Sequence, residues 1–124
     1  MPGAGGLLIT GDDLAFLTEL SNELRGVRQS VTLSHAPRPV RQALQSQFGQ
    51  PDAAVVCLNG SENIGDVRSL IIAHPETTFL FLSRESPPRS SLAHAVHASG
   101  GEIMSRQEEP VLITATLIAL LAQP

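Results

Sequence analysis

The sequence has no tryptophan and no tyrosine, one cysteine, and little charge of either sign. A single cysteine excludes an internal disulfide and a cysteine-based zinc site, and the expected compartment is the cytoplasm. Twelve acidic residues outnumber eight basic ones, for a net charge of −4, and the basic residues form no block. Sequence-neutral nucleic-acid binding relies on cationic stripes, often with stacking aromatics. With neither present, direct nucleic-acid binding is not expected. The longest strongly apolar stretch, Val111 to Ala122, falls well short of the ~20 residues that cross a bilayer. The opening MPGAGGLLIT has no positive region before its apolar residues, so no signal peptide is read and no membrane association is expected. What remains is a chain of 124 residues, 42% apolar, too hydrophobic for disorder and of a length that suits one domain with one core.

The chain is organised around PDAAVVCLNG, residues 51–60. Ala53 to Leu58 are apolar without interruption, with Pro-Asp before them and Asn-Gly after. So short a run, closed by turn residues, suits a strand buried on both faces, as in the middle of a parallel sheet. Ligands in such folds bind beyond the carboxyl ends of the strands, which here carry Cys57, Leu58 and Asn59.

Other elements follow the same logic. Met1 to Gly6 reads as a flexible lead-in and Leu7 to Thr10 as a buried strand. Leu14, Leu17, Leu20 and Leu24 recur at helical spacing, with Asp12 or Asp13 as cap and Gly26 as stop. A second strand is expected over Gln29 to Ser34, and a helix through Val40, Ala43, Leu44 and Phe48 after Pro37 and Pro39. A loop from Asn59 to Gly65 leads to a helix over Val67 to Ala73, which His74-Pro75 stops. Thr77 to Leu82 is a further buried strand. Ser90 or Ser91 caps the next helix, Gly100 and Gly101 end it, and Glu102 to Ser105 forms a last strand. Pro110 opens a final helix through Leu121. Five strand–helix units in succession predict a three-layer α/β/α fold: a (βα)5 domain over residues 7–124, its five-stranded parallel sheet in the flavodoxin-like order 2-1-3-4-5.

In this register the chain resembles the receiver (CheY-like) domains of two-component response regulators over Leu7 to Ala122. The resemblance rests on LLITGDDLAFL, PDAAVVCL, Gly65, HPETTFLFLS and GGEIMSR. Receivers accept a phosphoryl group on an aspartate, hold magnesium with acidic residues, and complete the charge balance with a lysine. The resemblance implies that Asp12 keeps an acidic position and Ser83 the hydroxyl position. Gly11 replaces the other acid, Cys57 the phosphoacceptor, Arg106 the lysine, and Ile103 the usual switching aromatic. Lysine and arginine are not interchangeable at a tight site. Asp52 and Asp66 are the only other acids near the central strand. One is at its wrong end, and the other is placed to start a helix. The implied protein is a degenerate pseudo-receiver without catalytic activity or cofactor, acting in signalling through a protein partner or an attached output domain. Two atypical relatives fit in outline: the receivers of transcription antiterminators and those at the front of pilus-assembly ATPases. A flavodoxin-like cofactor binder or enzyme is the alternative, and the turn ThrGlyAspAsp, without a glycine-rich phosphate cradle, speaks against it.

Several residues carry two readings. Cys57 is a redox-sensing thiol if a cation such as Arg106 approaches it, and otherwise a small apolar residue finishing a core strand, the favoured reading. Asp12 and Asp13 could hold a divalent cation, but two acids without further oxygen donors make a poor site, and helix capping is favoured. His94 and His97 are three apart on one helix, without a third ligand, and read as a polar face. His35 and His74 read as solvated residues at element ends. The final helix is apolar beyond the ~100° stripe that a sheet-covering helix needs. The excess predicts a second contact, by a homodimer or an output partner, through Ile113, Leu117 and Leu120 with Ile103 beside them.

Overall fold

A computed structural model describes residues 6–11, 13–26, 31–35, 52–58, 64–86 and 88–122. Five strands, β1 (Leu7–Gly11), β2 (Val31–His35), β3 (Ala53–Cys57), β4 (Thr78–Ser83) and β5 (Glu102–Ser105), form one sheet in the order β2-β1-β3-β4-β5. All neighbours are parallel, with Ile9 beside Val55 and Val55 beside Leu80 in register. Among the described residues four helices cover it: α1 (Leu14–Leu24), α2 (Ile64–Ala73), α3 (Ser90–Ala98) and α4 (Pro110–Leu121). The helix expected through Val40 to Phe48 lies outside the described residues, as do most of the loop from Asn59 to Gly65 and the lead-in before Gly6.

All five residues of β3 are buried. Successive side chains alternate between faces, and this divides the core in two. Ala54, Val56, Phe79 and Phe81 pack with Leu70 of α2 and Val96 of α3. Ala53, Val55, Leu80 and Leu82 pack with Leu17 and Leu20 of α1 and Ile113 and Leu117 of α4. The Phe79 and Phe81 rings stack with centroids 5.7 Å apart, on the side of α2 and α3. Each large side chain withdrawn from water contributes about 1.5–3 kcal/mol, and both faces must be covered to gain it.

Helix ends follow from local chemistry, with three differences from expectation. Asp13 caps α1, its Oδ1 accepting from the Phe16 amide at 3.2 Å. Pro110 opens α4, and Gly100, at φ +96°, closes α3 in a conformation that favours glycine. Neither Ser90 nor Ser91 caps α3. Arg89 holds that position without a side-chain cap, and both serines are already helical. Helix α2 begins at Ile64, a turn earlier than read, because half-buried Ile64 packs on the core and Asp66 favours the first turn. Gly65 is therefore helical. His74 is half-buried rather than solvated, its ring centroid 6.4 Å from that of Phe79.

The expected contact residues of α4 are also corrected. Ile113 and Leu117 are fully buried on the sheet and Leu120 is half-buried. Val111, Leu112 and Ile118 face outward at 63%, 47% and 48% exposure. Ile103 is buried against the opposite face, because alternation along β5 sends Met104 toward α4 and Ile103 away from it. With two threonines as its only polar side chains, the helix carries no polar face to mark its outer side, so position over the sheet decides the orientation.

Leu117→Ala should therefore lower the unfolding free energy by about 2–5 kcal/mol, while Ile118→Ser should stay within about 0.5 kcal/mol. Chemical denaturation of both variants checks this. Comparable losses would mean that the helix is rotated from the orientation described.

Candidate functional site

Parallel strands deliver their carboxyl ends to one rim, where Gly11, Cys57, Ser83 and Arg106 meet. Register accounts for this. Thr10 lies beside Val56, Cys57 beside Leu82, and Ser83 beside Ser105. The ladder continues past the strands, where the Leu58 amide donates to the Leu82 carbonyl and the Arg106 amide to the Ser83 carbonyl, both at 2.9 Å. Asp12 lies outside the described residues.

The contact between Gly11 and Cys57 dominates the rim. A Cβ added at Gly11 would come within 2.7 Å of the Cys57 Cβ, 3.4 Å of its Sγ and 3.3 Å of Leu17 Cδ2. Real Cβ atoms do not approach backbone-anchored atoms so closely, so only glycine fits here. The corner is filled by Cys57, itself 6% exposed among Leu17, Ile9 and Leu82. Cys57 thus completes the packing at the end of β3.

Arg106 is turned toward α1. Its Nη2 lies 3.8 Å from Asp13 Oδ2, and its guanidinium carbon 5.8 Å from the Phe16 ring centroid. The Arg106 side chain is 21% exposed and that of Asp13 43%. An ion pair so exposed is worth at most about 1 kcal/mol, and the ring contact adds about 0.5–1 kcal/mol. Asp13 thus serves two amino-terminal functions, capping α1 and holding Arg106. The sequence contains no lysine anywhere.

Ser83 is buried, and its Oγ accepts from the Glu85 amide at 3.1 Å. Ser105 repeats the arrangement, its Oγ accepting from the Gln107 amide at 3.1 Å. Gln107 Nε2 then donates to the Arg84 carbonyl at 3.3 Å, linking the two loops. Sequence reasoning missed Ser105, Gln107 and Phe16. The signal for the first two was the repeated tripeptide form Ser83-Arg84-Glu85 and Ser105-Arg106-Gln107, since serine hydroxyls form such turns with the amide two residues on.

The histidines do not converge. His97 pairs with Glu102, whose Oε1 also accepts from the Ile103 amide at 3.0 Å, and His94 is exposed. The side chain of His35 lies outside the described residues. Among the described residues no three acidic, histidine or cysteine side chains are placed to hold a metal ion. Asp13 at the rim is already engaged by an amide and a guanidinium, whereas a hard cation takes several oxygens.

No protein-family model matches the chain, and no curated protein sequence matches it. Solved structures do. A CheY-like receiver domain from Methanospirillum hungatei superposes with a TM-score of 0.76 at 12% identity, over 94% of this chain and 93% of that one. A beryllofluoride-activated DrrB receiver domain gives 0.74 at 15% identity, over 96% and 98%. A protein of Burkholderia thailandensis assigned to pilus assembly gives 0.72 at 15% identity, over 95% and 98%. The fold is that of response-regulator receiver domains.

Gly11→Ala is expected to destabilise the domain by about 1–3 kcal/mol through overpacking. Combined with Cys57→Gly, the total loss should fall short of the sum of the single losses by about 0.5–3 kcal/mol, as read from a double-mutant cycle in denaturant. Strict additivity would mean that the two residues do not press on one another. Asp13→Ala should cost about 1 kcal/mol through the lost cap.

Proposed function

We propose that this chain is a pseudo-receiver: a receiver-fold domain, over residues 7–124, that acts in signalling by protein contact without phosphotransfer or catalysis. The observation that carries this reading is the packing of Gly11 on Cys57. Phosphotransfer to a receiver needs a carboxylate as acceptor and acidic oxygens for magnesium. Cys57 has no carboxylate, and its Cβ occupies the space that any side chain at position 11 would need. Arg106, which the receiver resemblance sets in the lysine position, is held by Asp13 and Phe16. With the charged pocket replaced by packing, the state of the domain is set by binding equilibria at its surface.

The contact face of this reading is the outward side of α4, where Val111, Leu112 and Ile118 stand exposed. This replaces the inward residues Ile113 and Leu117 as the surface for a separate partner, an attached output domain or a second copy. A cytoplasmic location accords with it, and no helix among the described residues is long and apolar enough to cross a membrane. The likeness to two Burkholderia proteins assigned to pilus assembly favours one setting, in which the domain is the receiver-like part of such an assembly or localisation protein.

Amide NMR with magnesium and beryllofluoride, an acyl-phosphate mimic, tests the reading. Unchanged peaks at Gly11, Cys57, Ser83 and Arg106 are expected, together with no phosphoryl mass gain after treatment with acetyl phosphate and magnesium. Shifts that converge on those four residues, or a phosphoryl adduct, would overturn it.

A further inference from the structure

The outward face of α4 is apolar along its length, and its border is acidic. All twelve residues of the helix, PVLITATLIALL, are uncharged. Its inner side is filled by Ile113 and Leu117, yet Val111, Leu112 and Ile118 are exposed, with exposed Ala115 and Ala119 between them. The neighbouring helix α1 shows the usual alternative, with Thr18, Glu19, Asn22 and Glu23 on its outer side.

The free charges nearest the stripe are mainly acidic. Glu108 and Glu109 are exposed immediately before α4. On α1, Phe16, Glu19 and Glu23 recur at i, i+3 and i+7 and so share a flank. Arg106, on the connection from β5 to α4, lies over the Phe16 ring, which turns this flank toward the start of α4. Both helices begin at the same rim and pack against one another, and Glu19 and Glu23 are exposed on the flank of α1 that carries Phe16. Arg106 is engaged by Asp13, and Arg25 sits at the far end of α1.

We propose that this face docks a basic amphipathic helix of a partner protein, its apolar stripe on Val111, Leu112 and Ile118 and its cationic flanks on Glu19, Glu23, Glu108 and Glu109. The inference rests on the contact-signalling reading and names the partner's chemistry. Helix-in-groove recognition uses apolar anchors one turn apart, and complementary charge around them sets partner choice and association rate. In a two-fold pair the patch would meet itself, and its mainly acidic border would face mainly like charge.

The test titrates the full chain with a synthetic Leu/Lys amphipathic helix and with its Leu/Glu counterpart, followed by amide NMR and sedimentation. The basic peptide should shift peaks on the outer side of α4 and at the four glutamates, and bind more weakly as salt rises. The acidic peptide should not bind. Ile118→Ser, exposed and so expected to keep the native spectrum, should weaken binding about tenfold, as for a central anchor. Neutralising the four glutamates together to Gln should remove most of the salt dependence. Equal binding of both peptides, shifts elsewhere on the surface, indifference to Ile118→Ser, or a dimer that already covers α4 would each overturn the proposal. The beryllofluoride response is independent of these outcomes, so phosphorylation independence and partner chemistry fail separately.

Discussion

A strand that is apolar on both sides must be covered twice, and β3 imposes that requirement on everything around it. Its five residues are all buried, with Ala54 and Val56 on one face and Ala53, Val55 and Cys57 on the other. Covering both faces requires crossover connections, which keep the strands parallel and bring their carboxyl ends to one rim. The small side chains Ala53 and Ala54 let neighbouring elements approach closely, and Cys57 extends the close packing to the last residue of the strand. The rim inherits its geometry from this central burial.

At that rim, close packing dominates the described contacts. A glycine lies against a cysteine there, with no room for a further side chain between them. The remaining charged groups satisfy each other locally. Asp13 accepts from an amide of α1 and pairs with Arg106, which also covers Phe16. Ser83 and Ser105 turn their hydroxyls onto the amides two residues ahead. The arrangement links α1, the end of β4 and the start of α4 through short-range contacts. The outer side of α4, with Val111, Leu112 and Ile118, is exposed beside this rim.

The two sides of α4 show how similar residues acquire different roles. Leu117 and Ile118 are neighbours in the chain and nearly equal in hydrophobicity, yet one has no exposed surface and the other is 48% exposed. Burial of the first contributes to stability. The second leaves apolar surface in water, where removal by a partner is favourable. Exposed acids flank this region on two separate segments, Glu19 and Glu23 on α1 and Glu108 and Glu109 before α4.

Much of this was legible in the chain alone. Uninterrupted apolar runs at 53–57 and 79–82 mark strands covered on both faces, and the 3.6-residue recurrence of Leu17, Leu20 and Leu24 marks the buried side of α1. Pro110, Gly100 and Asp13 mark helix ends, because each acts through its own backbone or a neighbour one turn away. The residue types at positions 11, 57 and 106 were likewise visible. Tertiary structure alone decided which side of α4 points outward, that Ile103 joins the face opposite α4, that Arg106 is held by Asp13 and Phe16, and that Gly11 lies against Cys57. Local signals act within about one helical turn or along alternate strand positions. Contacts between residues nearly fifty or ninety positions apart exist only after the sheet has set their register.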